Sequence, residues 1–277
     1  MIELPETYVL SKQINETLTG KAIRNTVANG HPHTWAWFTG DPAEYPPKLN
    51  GATVTKASPG TGYTCGGNTE VFVGDWVLVI NTPIKYHEPG GKMPKSHQLL
   101  LEFTDGSHMS CTVQMWGGMF CFPVSGGRPD AYRGEKPDPY SDAFDETYFN
   151  VLWRGVKPEI SVKAFLATEQ RIPGFGNGVL HDTLWNARLH PKRKLGTFND
   201  NDIEGLFKSV KSTLLEMRNS GGRDTERDLF GKPGGYATVL SSKTLAYPCR
   251  VCGGGLKREA YLGGNIYFCP ECQPLDH

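Results

Sequence analysis

The stretch that decides the fold is residues 249–272, which read CRVCGGGLKREAYLGGNIYFCPEC. Two Cys-x-x-Cys pairs bound it: Cys249 and Cys252, then Cys269 and Cys272. Each pair places two thiolates on one tight turn, and the sequence LGGN at 262–265 is typical of a hairpin tip between the pairs. Four sulfur ligands complete the tetrahedral coordination of zinc, so the spacing predicts a zinc ribbon with one structural ion. Disulfides or free thiols are the alternative interpretations.

Composition narrows the class of protein. The 277 residues are enough chain for two domains and a hydrophobic core. No run of eighteen apolar residues is present, and the N-terminus lacks the apolar segment of a signal peptide. Three further cysteines, Cys65, Cys111 and Cys121, form an odd set that fits a reducing compartment better than a disulfide scaffold. We therefore expect a cytoplasmic protein without membrane contact.

Charge is balanced overall but divided unevenly along the chain. Residues 1–150 hold 11 Lys and Arg against 16 Asp and Glu, whereas residues 151–277 hold 18 against 13. An asymmetry of this kind favours an anionic partner for the basic second half. A solvated surface without a partner is the alternative.

The chain changes from strand-like to helical near residue 126. Apolar spacing predicts a helix over residues 6–19 and then a β-rich region that ends at residue 125. Its strand-like segments are 33–38, 71–73, 76–80, 98–103 and 108–114. Residues 126–150, rich in Gly, Pro, Asp and Tyr, predict a linker. The pattern favours a β-sandwich or barrel followed by a helical domain.

Three helices are predicted after the linker, over residues 161–168, 178–188 and 200–219. The last presents one apolar face, made of Ile203, Leu206, Phe207, Val210, Leu214 and Leu215. Between the first two lies a glycine-rich turn at 170–177. Its glycines would leave backbone N–H groups bare at a helix N-terminus, where a phosphate fits beside Asn177. A plain interhelical turn is the alternative.

Five segments, in order along the chain, resemble the formamidopyrimidine-DNA glycosylase / endonuclease VIII family of base-excision repair enzymes. They are residues 2–6 (IELPE), the strands from His97 to Gly117, residues 170–177 with 187–191, residues 220–236, and the zinc hairpin through Gln273. The resemblance implies an α+β fold with four parts. These are an N-terminal helix and β-sandwich domain at 1–125, a linker at 126–150, a helix–two-turn–helix DNA-binding domain at 151–240, and a zinc-finger hairpin at 241–277.

The resemblance also implies the partners and the cofactor. The expected partner is double-stranded DNA that contains a lesion or an abasic site, held between the two domains. The expected cofactor is one structural zinc ion, without a small-molecule cofactor. A monomer is expected, associated with the nucleoid if the protein is bacterial.

In the family an N-terminal amine, exposed after methionine removal, attacks C1′ of the damaged nucleoside and forms a Schiff base, and later steps cut the strand. The resemblance places Ile2, Glu3 and Glu6 in this catalytic site, with Glu3 moving protons. The family has proline where this chain has Ile2. We expect Met1 to be retained, because the first methionine is generally removed only before small residues and isoleucine is large. The alternative for the two acids is local: Glu6 as a helix cap and Glu3 as a turn residue.

Six residues are candidates for DNA contacts: Gln114, Trp116, Lys163, Asn177 and, on the other strand near the family's hairpin arginine, Lys257 and Arg258. Gln114 would fill the void left by a flipped base, and Trp116 would be the aromatic wedge. A core aromatic is the alternative for Trp116. The family's hairpin lysine has no counterpart at residues 60–63, and Lys56 is the nearest. The arginine of its zinc hairpin aligns with Gly264.

Two functions follow from this pattern. The first is a DNA glycosylase that removes a damaged, oxidised base, with AP-lyase activity if the amine is free. The second is a catalytically inactive relative that binds damaged, abasic or bent DNA through its backbone. A third, RNA-associated role has no positive feature in the sequence.

Overall fold

Strands dominate the N-terminal part of the molecule. The structure, a computed structural model, describes residues 2–60, 67–132 and 136–275. Within these ranges, the strands before the helical part are β1 (Ile23–Ala28), β2 (Ala36–Phe38), β3 (Val54–Gly60), β4 (Asn68–Val73), β5 (Trp76–Ile80), β6 (Ile84–His87), β7 (Leu99–Phe103), β8 (His108–Cys111) and β9 (Gly117–Pro123).

These strands form two sheets that pack face to face. One has the order β2-β9-β5-β4-β3 and the other the order β1-β7-β8-β6. Neighbouring strands are antiparallel except β2 and β9, which run parallel. Val71 and Leu78 of the first sheet share one hydrophobic cluster with Leu101 and Met109 of the second. The predicted β-sandwich is therefore confirmed.

The sequence located five of these nine strands and missed four. The predicted segments 33–38 and 108–114 shorten to β2 and β8, and the expected pattern did not contain β1, β3, β6 or β9, of which β9 lies inside its sheet and the other three lie at edges. The strand β3 reads VTKASPG, and Pro and Gly are depleted in strand interiors. It tolerates Pro59 because it lies at the edge of its sheet.

The first helix, α1 (Leu4–Thr17), begins two residues earlier than predicted. Pro5 lies in its first turn, where the missing N–H is not needed by the helix. The helix ends with Leu18 as its C-cap, and Gly20 follows with a φ of 87°. Leu10, Ile14 and Leu18 are buried in the sandwich cluster, as the spacing predicted.

The helical part contains α3 (Glu146–Arg154), α4 (Asn177–Asn186) and α5 (Asp200–Asn219), and a short helix, α2 (Tyr45–Leu49), lies within the sandwich. The helix α5 has the predicted bounds, and Asn199 caps it by accepting from Asp202 N. On its predicted apolar face Leu206, Val210 and Leu214 are buried, but Leu215 is 48% exposed.

Two other helical predictions need correction. The segment predicted as a helix over 161–168 contains a π-helical turn at Ala164–Thr168. The helix predicted over 178–188 is α4, which ends at Asn186 because Ala187 is its C-cap and Arg188 has a φ of 58°. The helix α3 begins within the segment expected to be a linker.

The zinc ribbon is a two-stranded hairpin of β10 (Lys257–Tyr261) and β11 (Gly264–Phe268). Two residues join the strands, Leu262 with a φ of 48° and Gly263 with a φ of 72°. Positive φ at both positions is the geometry of a type I′ turn, which matches the twist of the strands. The predicted hairpin is confirmed, with its tip two residues shorter than expected.

Ile2 and Leu4 lie on opposite sides of the seam between two hydrophobic clusters. Ile2 belongs to the sandwich cluster, and Leu4 belongs to the cluster of the helical part. Leu4 N also donates to Gly174 O at 2.9 Å. Glu3 is therefore held where the two clusters meet. None of the helices in the described ranges is both long and apolar enough to cross a membrane.

Candidate active site and nucleic-acid interface

The carboxylate of Glu3 occupies the N-terminus of α4. Gly178 N donates to Glu3 Oε1 at 2.9 Å and Val179 N donates to Glu3 Oε2 at 2.8 Å. Bare N–H groups at this terminus were expected to bind a phosphate. The structure corrects this for Gly178 and Val179, because an acid of the same chain is their acceptor. The dipole of α4 favours this negative charge as it would favour a phosphate.

Two glycines make this close approach feasible. A Cβ added to Gly176 would lie 2.5 Å from Glu3 Oε1, and one added to Gly178 would lie 1.5 Å from the Arg223 side chain. Both separations are too short for a methyl group. Glycine is therefore needed at these two positions to let the Glu3 and Arg223 side chains approach the backbone, and not to allow a positive φ. Gly174, with a φ of 69°, supplies the bend before them.

A buried arginine joins Glu3 to Glu6. The Arg223 side chain is 2% exposed and its Nε and Nη2 donate to the two oxygens of Glu6 at 3.0 and 2.7 Å. Its backbone N also donates to Glu6 Oε1 at 3.1 Å. Its Nη1 lies 3.3 Å from Glu3 Oε2, and Glu226 is 4.0 Å away at the edge of the group. The interpretation of Glu6 as a local helix cap is incomplete, because its main partner is 217 residues away.

The charges in this group support one another. Burial alone would raise the pKa of Glu6, but the charge of Arg223 and the hydrogen bonds from Arg223 and Glu3 outweigh it and hold the pKa below its ordinary value. Burial alone would lower the pKa of Arg223, and Glu3 and Glu6 together raise it above its ordinary value. The site is therefore built from paired, ionised side chains.

Lys163 and Asn177 meet at the tip of the zinc hairpin. Lys163 Nζ donates to Tyr261 O at 2.5 Å and lies 5.7 Å from the centre of the Tyr261 ring. A Cβ on Gly264 would lie 2.9 Å from Asn177 Nδ2 and 3.9 Å from Lys163 Nζ. Burial lowers the pKa of Lys163. Lys163 therefore ties the hairpin to the helical part, and the exposed Asn177 faces outward.

Lys257 and Arg258 do not join this group. They lie at the start of β10, paired with Phe268 and Tyr267, whereas the tip pairs Tyr261 with Gly264. At about 3.3 Å per residue, three residues separate Arg258 from the tip by about 10 Å. Both side chains are exposed and, as successive residues of a strand, they point to opposite faces of the hairpin.

Trp116 belongs to an exposed aromatic patch. Its ring is 5.8 Å from that of Trp37, which is 6.4 Å from that of Trp35, and Met115 completes the patch. We call these four residues the tryptophan patch. Trp116 is 38% exposed, so the core-aromatic alternative is wrong, and Gln114 is exposed beside it. Trp35 and Trp37 were not predicted as site residues. Their i, i+2 spacing in the predicted strand segment 33–38 would have placed both side chains on one face.

The four cysteines form a closed metal site. Their sulfur atoms all lie within 4.8 Å of one another, with Cys249 and Cys272 3.7 Å apart and Cys252 and Cys269 3.4 Å apart. Tetrahedral zinc with Zn–S bonds near 2.3 Å requires S···S separations of about 3.8 Å. The donor set therefore fits one structural zinc ion. Gln273 fixes the site to the helical part by donating to Leu189 O at 2.8 Å.

Comparison with known proteins extends along the full chain. No family model matches it. The formamidopyrimidine-DNA glycosylase of Cytobacillus firmus is 25% identical over 288 residues, covering 99% of this chain and 100% of that protein. Fpg of Lactococcus lactis, solved with DNA containing an abasic site, has a TM-score of 0.81 at 21% identity and covers 98% of this chain and 99% of its own. MutM (Fpg) of Thermus thermophilus has a TM-score of 0.77 at 20% identity, with 98% of both chains covered.

Full-length sequence matches and a shared fold support membership of the formamidopyrimidine-DNA glycosylase / endonuclease VIII family. At identities of 20–21% the structural likeness shows the fold, and the full-length relatives add the sequence match. Glu3 and Glu6 stand in the N-terminal segment that resembles this family, and the zinc cysteines stand in the C-terminal one.

The position of the family's proline is buried in this chain. The Ile2 side chain is 1% exposed and packs in the sandwich cluster. Met1, whose retention was expected, lies outside the described residues. Residues 61–63, where the hairpin lysine was sought, also lie outside them. Lys56 is on β3 with its Nζ 4.5 Å from the centre of the Phe72 ring, so it packs along the sheet.

Replacing Glu6 with glutamine should make the free energy of unfolding depend less on pH in the acid range. Because the folded pKa of Glu6 is below its ordinary 4.5, its stabilisation is present above pH 4.5 and is lost as the pH falls through the folded pKa. We expect Glu6→Gln to lower the free energy of unfolding at pH 7 by about 3 kcal/mol, since it unbalances a buried pair. Denaturant unfolding at a series of pH values should show this gap closing below pH 4.5.

The exposed Glu16→Gln variant on the same helix is the control and should follow the wild type at every pH. A gap for Glu6→Gln that stays constant from pH 7 to pH 3 would show that Glu6 is not ionised in the folded chain.

Zinc removal should unfold the hairpin. We expect one zinc ion per chain by elemental analysis, and loss of the ion in Cys269→Ser because the remaining thiolates cannot close the site. The control is Cys121→Ala, which changes a cysteine of the sandwich core and should keep the metal. A metal-free protein whose four ribbon cysteines are disulfide-bonded would contradict the zinc assignment.

Proposed function

We propose that this chain is a DNA glycosylase of base excision repair that removes a damaged, oxidised base from double-stranded DNA. The observation that carries this proposal is the Glu3–Arg223–Glu6 group at the seam of a chain that shares the whole fold of Fpg. The Lactococcus lactis relative was solved with DNA that contains an abasic site, which is the state after base removal. The chain acts as a monomer in the cytoplasm, with zinc as its structural ion and without a small-molecule cofactor.

The division of the chain supports this function. The part at 1–125 carries Glu3, Glu6 and the tryptophan patch. The part at 151–240 carries Lys163 and Asn177, and the hairpin at 241–277 carries Lys257 and Arg258. The carboxylates proposed for chemistry thus lie in the first part of the chain. The cations and the amide proposed for phosphate groups lie in the other two parts. The segment 126–150 connects them.

Two routes break the N-glycosidic bond in this site. In the first, a neutral N-terminal amine attacks C1′ and the base leaves with the bonding electron pair. The nitrogen then loses its protons, the C1′–O4′ bond opens with its electron pair on O4′, and Glu3 passes a proton to O4′, which leaves a C1′=N Schiff base that permits strand cleavage. This route makes Ile2 the nucleophile and needs Met1 removed. In the second, water attacks C1′ and Glu3 accepts its proton, so an intact abasic site remains. Glu3 serves in both routes, which makes it the residue to test first.

Glu3→Gln should reduce base removal strongly. A positioned acid or base contributes roughly 10²- to 10⁴-fold, so we expect a loss of at least about 100-fold in single-turnover rate on a duplex with an oxidised base. Gln keeps the acceptor for one α4 amide but cannot take a proton. The measurement is strand cleavage after alkali, which detects abasic sites whichever route forms them. Glu16→Gln, exposed on the same helix, is the matched control.

Borohydride trapping and the intact mass of the protein distinguish the routes. A trapped adduct on a chain without Met1 assigns the amine route to Ile2, and alkali-labile sites without an adduct assign the water route. Tight binding to abasic DNA, with neither adduct nor alkali-labile site across a panel of lesions, would refute the enzyme and favour the inactive binder.

Trp116 should contribute to binding of distorted DNA. Stacking of a base on an aromatic side chain is worth about 1–3 kcal/mol, so we expect Trp116→Ala to weaken binding to an abasic-site duplex by about 10-fold or more. Binding to an undamaged duplex, whose bases stay stacked, should change little. Val151→Ala, an exposed apolar residue on α3, is the control. Equal losses on both duplexes would show that Trp116 does not contact unstacked bases. Filter binding or anisotropy measures the affinities.

A further inference from the structure

Arg223 is a buried charge that neither route above uses. It lies after α5 in the loop that leads to the hairpin, and its side chain is almost wholly enclosed. Its neighbour Arg227 is in the same loop but is exposed. The two residues differ in what they contact, and the acids that Arg223 contacts are the proposed catalytic ones.

The hydrogen-bonding capacity of Glu6 is filled. Its carboxylate accepts from Arg223 N, Nε and Nη2, at 3.1, 3.0 and 2.7 Å, and from Glu3 N at 3.2 Å. An ionised carboxylate has about four lone-pair sites, and these four donors use them. Glu6 therefore has no position left for a substrate or a water molecule.

Glu3 is held from two sides. Its carboxylate accepts from Gly178 N and Val179 N of α4, and Arg223 Nη1 lies 3.3 Å from its Oε2. The start of α1 adds a capping-box contact from Glu6 N to the same carboxylate. Among the described residues, Arg223 is the one side chain that pairs with this carboxylate, so replacing Arg223 changes its surroundings without removing a backbone donor.

We propose that Arg223 is a positioning residue for base removal. It saturates Glu6, which becomes an anchor, and it holds Oε2 of Glu3, which fixes the orientation of the carboxylate that takes the proton. This inference rests on the proposed function. During hydrolysis the Glu3 carboxylate takes one proton from the attacking water as oxygen bonds to C1′. The N-glycosidic bond breaks, its electron pair leaves with the base, and Glu3 returns the proton to that base.

The experiment compares three changes of the full chain: Arg223→Lys, Arg223→Gln, and Arg223→Gln combined with Glu6→Gln. Arg223→Gln alone leaves two buried acids without their cation, so it should unfold at lower temperature. The double variant puts two neutral amides in place of the Arg223–Glu6 pair and leaves Glu3 to the α4 amides, so it should recover part of the lost melting temperature. Arg227→Gln is the control and should match the wild type in both stability and rate.

The rate separates a positioning role from charge balance. If Arg223 positions Glu3, the double variant and Arg223→Lys should be about 100-fold slower than the wild type in single-turnover base removal, the loss expected for a displacement near 1 Å. Their affinity for an abasic-site duplex should be unchanged. A double variant that regains the wild-type rate together with its stability would overturn the proposal.

A second readout does not depend on activity. The amide protons of Gly178 and Val179 report on the carboxylate of Glu3, and Glu3→Gln gives their shifts when it is absent. In the double variant we expect at least the Val179 amide to move toward the Glu3→Gln position, because Oε2 has lost its second partner. Wild-type shifts there would refute the positioning role. If the wild type removes no base, the proposed function fails, and these shifts still decide whether Arg223 holds Glu3.

Discussion

The ion group of Glu3, Glu6 and Arg223 is the constraint on which the rest of the structure depends. Three charges are removed from water, which is costly unless their geometry and hydrogen bonds are nearly complete. Here Arg223 meets Glu6 with two parallel bonds and a backbone N–H as well, and the α4 amides meet Glu3. These contacts join the start of α1, the start of α4 and the loop after α5. The ion group therefore holds the sandwich and the helical part together at the seam between the two hydrophobic clusters.

Ile2 shows how packing and catalysis compete at this seam. A fully buried isoleucine is worth about 1.5–3 kcal/mol relative to an exposed one, and Ile2 is buried in the sandwich cluster while Leu4, two residues on, is buried in the other. The alternation fixes the backbone on both sides of Glu3. A proline in place of Ile2 would offer a secondary amine but less side chain to bury. In this chain the residue stabilises the seam, and the proposed reaction consequently relies first on Glu3.

Local patterns predicted the parts of the fold that depend on local interactions. The zinc hairpin followed from cysteine spacing and a two-residue turn, and α5 followed from apolar spacing between the cap at Asn199 and its end at Asn219. Its buried face was less certain, because Leu215 lies beside buried Leu214 in sequence yet points to solvent. The edge strand β3 was missed because Pro59 opposes strand formation except at an edge. Segment order, rather than periodicity, supplied the family and thus the α+β arrangement.

The site was less predictable because its contacts are distant in sequence. Glu3 and Glu6 were identified, but nothing near them indicates Arg223, which is 217 residues beyond Glu6. The glycines at 174 and 176 did signal an anion at the start of α4. They did not signal which anion, because the spacing that admits a phosphate also admits a carboxylate of the same chain.

The start of α4 also bears on recognition of DNA. The N-terminus of a helix leaves its first N–H groups without partners inside the helix. In α4 the inner two, from Gly178 and Val179, are given to Glu3, while Asn177 stands first in the helix with an exposed side chain. One helix terminus can thus hold an internal anion and face an external one, provided that the first residue carries its own donor. Asn177 supplies that donor, since its side-chain amide adds two N–H groups where the backbone has one.

Lys163, beside Asn177, donates to Tyr261 O of the hairpin, so it contributes positive charge without turning toward solvent. In the proposed complex a phosphate at this terminus would therefore be recognised chiefly by the side-chain amide of Asn177, which the helix holds in place. The fixed positive charge of Lys163 would add electrostatic attraction.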